Sequence, residues 1–155
     1  MTTTNSSWFT TTKEEYFEAP YKSMGGPMVI PFSVTIADGD MDADGDIVNL
    51  VLLPQTAKVL SIYYEVEDHD DGGQTDMDIN IVEIADGTTT TTILYNSGGL
   101  GQTAVTGDWV LPAVGSSFLH EGVPTDSGTS KIILEQNAAV TTDKASSVKG
   151  MVFYI

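Results

Sequence analysis

The chain has 155 residues, 41% of them apolar, with no cysteine, no arginine, and 22 acids against 6 lysines for a net charge of −16. A domain of this size buries roughly 70% of the surface its unfolded chain exposes, so packing can hold it, and disulfides and thiolate metal sites are excluded. Strong negative charge without arginine argues against nucleic-acid or anionic-membrane binding, and no stretch reaches the ~20 apolar residues of a membrane-spanning helix.

Residues 1–27 differ in composition from the remainder. Their Thr-rich opening lacks the basic and apolar blocks of a secretion signal, so synthesis in a cytoplasm is expected. Lys13 to Tyr16 is too short to nucleate a helix unaided. Five aromatics, Trp8, Phe9, Tyr16, Phe17 and Tyr21, are more than solvated tails carry. The expectation is an N-terminal arm over 1–27 whose aromatics dock on a neighbouring subunit, followed by one domain over 28–155.

From Met28 onward the apolar residues alternate or run in short blocks, bounded by turn formers. Val29–Ile36 sets Phe32, Val34 and Ile36 against polar neighbours, whereas Ile47–Leu53 is nearly all apolar, as in a strand buried on both faces. Ala57–Val66 places Leu60, Ile62, Tyr64 and Val66 on one side. Further strands are expected at 77–81, 91–95, 116–119, 131–135 and 148–155, separated by breakers such as Asp71-Gly72-Gly73 and Ser97-Gly98-Gly99. No segment sustains a 3.6-residue period. About eight short strands predict an all-β antiparallel sandwich with jelly-roll topology.

The charge is concentrated. Fourteen acids and one lysine (Lys58) fall between Asp38 and Asp86. Asp40-Met41-Asp42-Ala43-Asp44-Gly45-Asp46 begins like a calcium loop, which makes Asp40, Asp42 and Asp44 the candidate metal ligands. Val51 then stands at the twelfth position, where a bidentate glutamate is needed, and the flanks are strands. If 47–53 and 57–66 paired as a hairpin, its extension would set Asp42 opposite Asp68 and Asp40 opposite Asp70, an arrangement needing a cation or solvent between like charges. The broken motif favours solvent: no resident cofactor is expected, and any calcium binding is expected to be weak and dispensable for folding.

Nothing else in the chain carries chemistry. His69 reads as a surface-loop residue and His120 has no second histidine at ligand spacing. Gly99-Leu100-Gly101-Gln102-Thr103-Ala104 mimics a dinucleotide fingerprint without the helix that must follow. Trp109, between turn signals, reads as a packing residue. The chain is not expected to be an enzyme.

The Gly45-Asp46 strand, Leu53-Pro54 with Ala57 and Val59, Thr75-Asp76-Met77-Asp78-Ile79 and the closing Gly150-Met151-Val152-Phe153-Tyr154-Ile155 resemble small β-sandwich capsid decoration, or cement, proteins of tailed bacteriophages. The resemblance covers residues 28–155 and rests on structural motifs. It implies a homotrimer on the outer capsid surface of the virion, bound to the major capsid protein and clamping its subunits, with no catalytic residues. The alternatives are a virion fibre or carbohydrate-binding sandwich and a calcium-dependent adhesin-like domain. Exposed aromatics clustered near the acidic loop would favour sugar binding. A flat apolar base would favour cement.

Overall fold

The computed structural model describes residues 3–5, 26–54, 57–85, 87–121 and 128–155. Nine strands and no helix occur among them: β1 (Thr3–Asn5), β2 (Met28–Ile36), β3 (Ile47–Leu53), β4 (Val59–Val66), β5 (Met77–Ala85), β6 (Thr88–Leu100), β7 (Val105–Val110), β8 (Gly128–Gln136) and β9 (Ser146–Tyr154). They form a five-stranded sheet in the order β1-β3-β8-β5-β6 and a four-stranded sheet in the order β2-β9-β4-β7. From β2 to β9 every connection crosses to the other sheet except the β5–β6 hairpin. This is the winding of a jelly roll, and all pairings are antiparallel except β1 on β3.

Alternation builds the inner faces. On β2, Ile30, Phe32, Val34 and Ile36 are buried between exposed Val29, Pro31, Ser33 and Thr35. They meet Val48, Leu50, Ile132, Leu134, Met77, Ile79 and Ile81 from the other sheet in one apolar cluster. Each such side chain contributes roughly 1.5–3 kcal/mol when fully buried.

Seven of the eight expected strands are present; β2 alternates and β3 is largely buried on both faces as its sequence foretells, whereas β5, expected to alternate, is buried on both faces over 77–83, and β6 is exposed on both over 88–93. Residues 116–119 are not a strand: the segment is reached through a single bridge, His120 to Val59. β1 and β7 were not anticipated, the first being three residues long and the second carrying Gly107 and Asp108 in its middle. On β4 the phase also differs. A bulge between Val59 and Ser61 resets the register, so Val59 joins Ile62, Tyr64 and Val66 inside while Leu60 leaves that face.

The β3–β4 hairpin does not form. Beyond Pro54 the chain crosses to the second sheet, where β4 pairs with β9 and β7, while β3 pairs with β8 and β1. A strand apolar on both faces, such as β3, gains more between two neighbours than in an isolated ribbon. The expected opposition of Asp42 to Asp68 and Asp40 to Asp70 disappears with the hairpin.

Candidate interaction surfaces

The connections at one end of the sandwich, 37–46, 67–76 and 137–145, gather 11 of the 22 acids into one pole. Its organiser is Asp70, which is 2% exposed. Its carboxylate accepts hydrogen bonds from the amides of Gly72 (2.6 Å), Gln74 and Thr75 (2.8 Å) and from the Thr142 hydroxyl (2.5 Å). Burial alone would raise its pKa, but the Thr142 hydroxyl and the three amides together hold it well below the usual carboxylate range. Lys144 bridges Asp68 (3.0 Å) and Asp71 (2.5 Å), and this pairing raises its own pKa, Asp71 contributing most.

The calcium-like turn is held from within. Asp46 is buried and accepts from the Ala43 amide (2.9 Å), while the Gly45 amide donates to the Gln136 carbonyl and the Gln136 amide to the Asp46 carbonyl, splicing the turn onto β8. Asp40 accepts from the Thr4 hydroxyl (3.1 Å) and Asp143 from the Gly39 amide (2.5 Å). Asp42 and Asp44 are exposed. No group of three metal-binding side chains gathers among the described residues, so Asp40, Asp42 and Asp44 share a turn without forming a ligand cage. Thr142, Asp143 and Lys144 complete this pole from ~70 residues away, and no local pattern in the sequence marks them.

His69 differs from the expected surface-loop position. His69 is fully buried, its Nδ1 3.0 Å from the Ser146 hydroxyl, because its backbone is spliced between Gly101 and Lys144. His120 lies at the opposite end, its Nε2 3.1 Å from Glu83, which is itself nearly buried.

The outer face of the four-stranded sheet divides into two halves. Register places Val29 beside Phe153 and Ser61 in one row, and Pro31, Met151, Tyr63 and Trp109 in the next. The third row is Ser33, Lys149 and Glu65, and the row nearest the acidic pole carries Thr35 and Ser147. Apart from Ser61 the first two rows are apolar, and the rest are polar. Trp109 is 47% exposed, with its ring centroid 5.3 Å from that of Tyr63 and 5.5 Å from that of Phe153. Such tilted contacts contribute about 0.5–1.5 kcal/mol each beyond area burial. Val29 and Leu111 extend the exposed apolar surface.

At the boundary between the halves, the Tyr63 hydroxyl donates to Glu65 (2.8 Å), which pairs with Lys149 (2.9 Å). Lys149 first, then Tyr63, lowers the Glu65 pKa. Gly107 has φ 123°, and a Cβ there would lie 2.6 Å from the Tyr63 hydroxyl, so glycine lets Tyr63 lie across β7. Trp109 is therefore a surface residue of a strand, not a packing residue of a loop. Its aromatic neighbours come from two other strands, which explains why no local signal announced the patch. The expected arm residues Trp8, Phe9, Tyr16, Phe17 and Tyr21 lie outside the described residues.

The winding defines a jelly-roll sandwich. Solved structures with this fold include a chain in the capsid of Ralstonia phage GP4, at 21% identity over 84% of each chain with a TM-score of 0.63. A chain in the cyanophage Pam1 capsid asymmetric unit matches at 22% identity over 83% of this chain and 84% of that one, with a TM-score of 0.55. A chain of infectious bursal disease virus, Gx strain, matches at 15% identity and a TM-score of 0.52, 83% of this chain aligning with 32% of that longer one. No family model and no curated protein matches the sequence.

Proposed function

We propose that this protein is a capsid decoration protein, seated on the outer surface of a tailed-phage head and bracing contacts between major capsid subunits. The observation that carries this reading is the apolar half of the four-stranded sheet. Trp109, Tyr63, Phe153, Met151, Pro31 and Val29 form two adjacent rows on one face, bordered on one side by the Glu65–Lys149 pair. Exposed aromatics bordered by charged groups are typical anchors of a protein-docking surface. The cluster lies at the end away from the acidic pole, which favours a cement base over an acidic sugar site.

The likeness in fold to chains of two phage capsids supports a virion role, and a charge of −16 without arginine suits a position outside the shell, away from packaged DNA. In this reading the protein is structural and not an enzyme. It assembles as a homotrimer matched to a three-fold of the lattice, and the aromatics of residues 1–27 add a second anchor. Calcium binding at Asp40, Asp42 and Asp44 is weak and does not support folding.

The test is reconstitution on undecorated heads followed by cryo-electron microscopy. Regular occupancy of exterior sites by the wild-type chain is expected, with at least a tenfold loss for the pair Trp109→Ala and Phe153→Ser at unchanged secondary structure. Absence of binding by the wild type, or full occupancy by the double variant, rejects this docking face. A carbohydrate-binding module is the second reading, favoured by the half-exposed Trp109 beside Tyr63. It becomes primary if host polysaccharide retards the chain in affinity electrophoresis, Trp109→Ala abolishes the retardation, and heads remain bare.

A further inference from the structure

Antiparallel sheets that end in open edges expose unpaired amides and carbonyls, and natural edges are blunted by shortness, proline, charge or bulges. The sandwich has four such edges among the described residues, and three are guarded. β1 is three residues long. β2 carries Pro31, which lacks an amide hydrogen. β7 is six residues long and holds Gly107 in a left-handed conformation beside Asp108.

β6 differs. It runs for 13 residues, Thr88–Leu100, with β5 on one side and no described strand on the other. Its bulges fall between Ile93 and Leu100, so Thr88 to Thr92 pairs with Ala85 to Ile81 in unbroken register. Thr88 to Ile93 are all exposed, on both faces, with Ile93 at 58%. All six are β-branched, the residue type that suits an extended backbone. No charged residue lies between Asp86 and Asp108, in a chain whose net charge is −16.

We propose that the Thr88–Ile93 edge of β6 pairs antiparallel with the same edge of a second copy across a two-fold axis, joining two five-stranded sheets into one. The occupant follows from the charge pattern. An edge evolved for a cationic partner would carry acids, of which this chain has many, whereas two copies at −16 approach each other best where neither presents a carboxylate. A strand edge in antiparallel pairing is also its own complement, and facing threonines form favourable cross-strand pairs. The inference does not depend on the shell-docking face, because β6 belongs to the other sheet. It adds a pairwise link whether the copies are single chains or members of the trimer proposed above.

Sedimentation of the full chain over a concentration series tests this, combined with amide exchange at residues 88–93. The expected result is a concentration-dependent doubling of the basal mass, stronger at about 500 mM than at about 50 mM salt because screening removes the long-range repulsion. Amides of 88–93 gain protection in the doubled species. The pair Thr90→Lys and Thr92→Lys is expected to weaken doubling at least tenfold, although it takes each copy from −16 to −14 and so lowers the overall repulsion. Ala139→Lys, in an exposed loop on the other end, leaves doubling unchanged. Doubling that survives both lysines, or a mass that never doubles, overturns the proposal. So does a trimer with unprotected 88–93 amides, which would leave the shell-docking reading standing.

Discussion

The acidic pole and the aromatic half-face solve opposite problems at opposite ends of one sandwich. At the pole, charges that repel in the sequence find donors in the fold: Asp70 receives three amides and a hydroxyl, and Lys144 holds Asp68 and Asp71. On the half-face, Trp109, Tyr63 and Phe153 stack on one another and still leave Trp109 47% exposed. Satisfied charge is structure, and the uncovered aromatic surface is the one that the proposed docking would cover. The loudest feature of the composition is therefore not where binding is expected.

The largest effect that would disturb this contrast is at Gly150, beneath the aromatic half. A Cβ there would stand 2.1 Å from the Tyr63 carbonyl oxygen and 2.7 Å from Phe32. Gly150→Ala is expected to destabilise by roughly 3 kcal/mol or more, through backbone displacement with no cheap relief. Chemical denaturation measures it, and a loss under about 1 kcal/mol would show that β4 and β9 are not packed as described.

Next is Asp70→Asn, which replaces an ion accepting four hydrogen bonds with an amide that carries donors of its own. A loss of roughly 2–4 kcal/mol is expected. Asp42→Asn and Asp44→Asn, on exposed side chains, are expected to stay within about 0.5 kcal/mol. Equal effects at all three positions would erase the distinction between organiser and periphery. The depressed pKa of Asp70 also sets the acid limb. Its contribution is complete above its unfolded value, near 3.9, and is lost as pH falls from there through the folded value.

Trp109→Ala sharpens the other side of the comparison. Removing a half-exposed ring with two aromatic neighbours is expected to cost about 1 kcal/mol of stability, while occupancy on heads falls severalfold. A stability loss as large as that of Gly150→Ala would make the ring a core element and weaken the docking reading.

The smallest effect has the opposite sign. Asp78, on β5, has its pKa raised chiefly by burial, with Asp76 adding to it and Asn137 and Asn96 opposing it. A raised carboxylate is a cost at neutral pH that is relieved as pH falls through its folded value. Asp78→Asn is expected to stabilise by a few tenths of a kcal/mol to about 1 kcal/mol at pH 7, and the gain should vanish on acidification. Destabilisation at pH 7 would mean that its bond from Asn96 (3.3 Å) outweighs burial.

Patterns with a period of two were legible, because burial of alternate residues is a local property of a strand. Phe32, Val34 and Ile36 could be assigned to the core from β2 alone, and the double-sided burial of β3 from a run that is apolar except for Asn49. β7 was not legible, since Gly107 and Asp108 break its pattern and its outward Trp109 gains meaning only beside Tyr63. The bulge that turns Leu60 away from the core is equally invisible, because one extra residue shifts phase without changing composition.

By itself the sequence determined an all-β sandwich with one negative pole and no cysteine chemistry, since strand periodicity, turn formers and charge are additive along a chain. Which strands became neighbours was decided by tertiary structure. Pairing across the sandwich placed β3 away from β4, brought Thr142 and Lys144 to the carboxylates of 68–71, and lined up Phe153, Met151, Tyr63 and Trp109 from three strands. Those contacts join residues tens of positions apart, and burying two inner faces at once selects them in a way that no window of sequence contains.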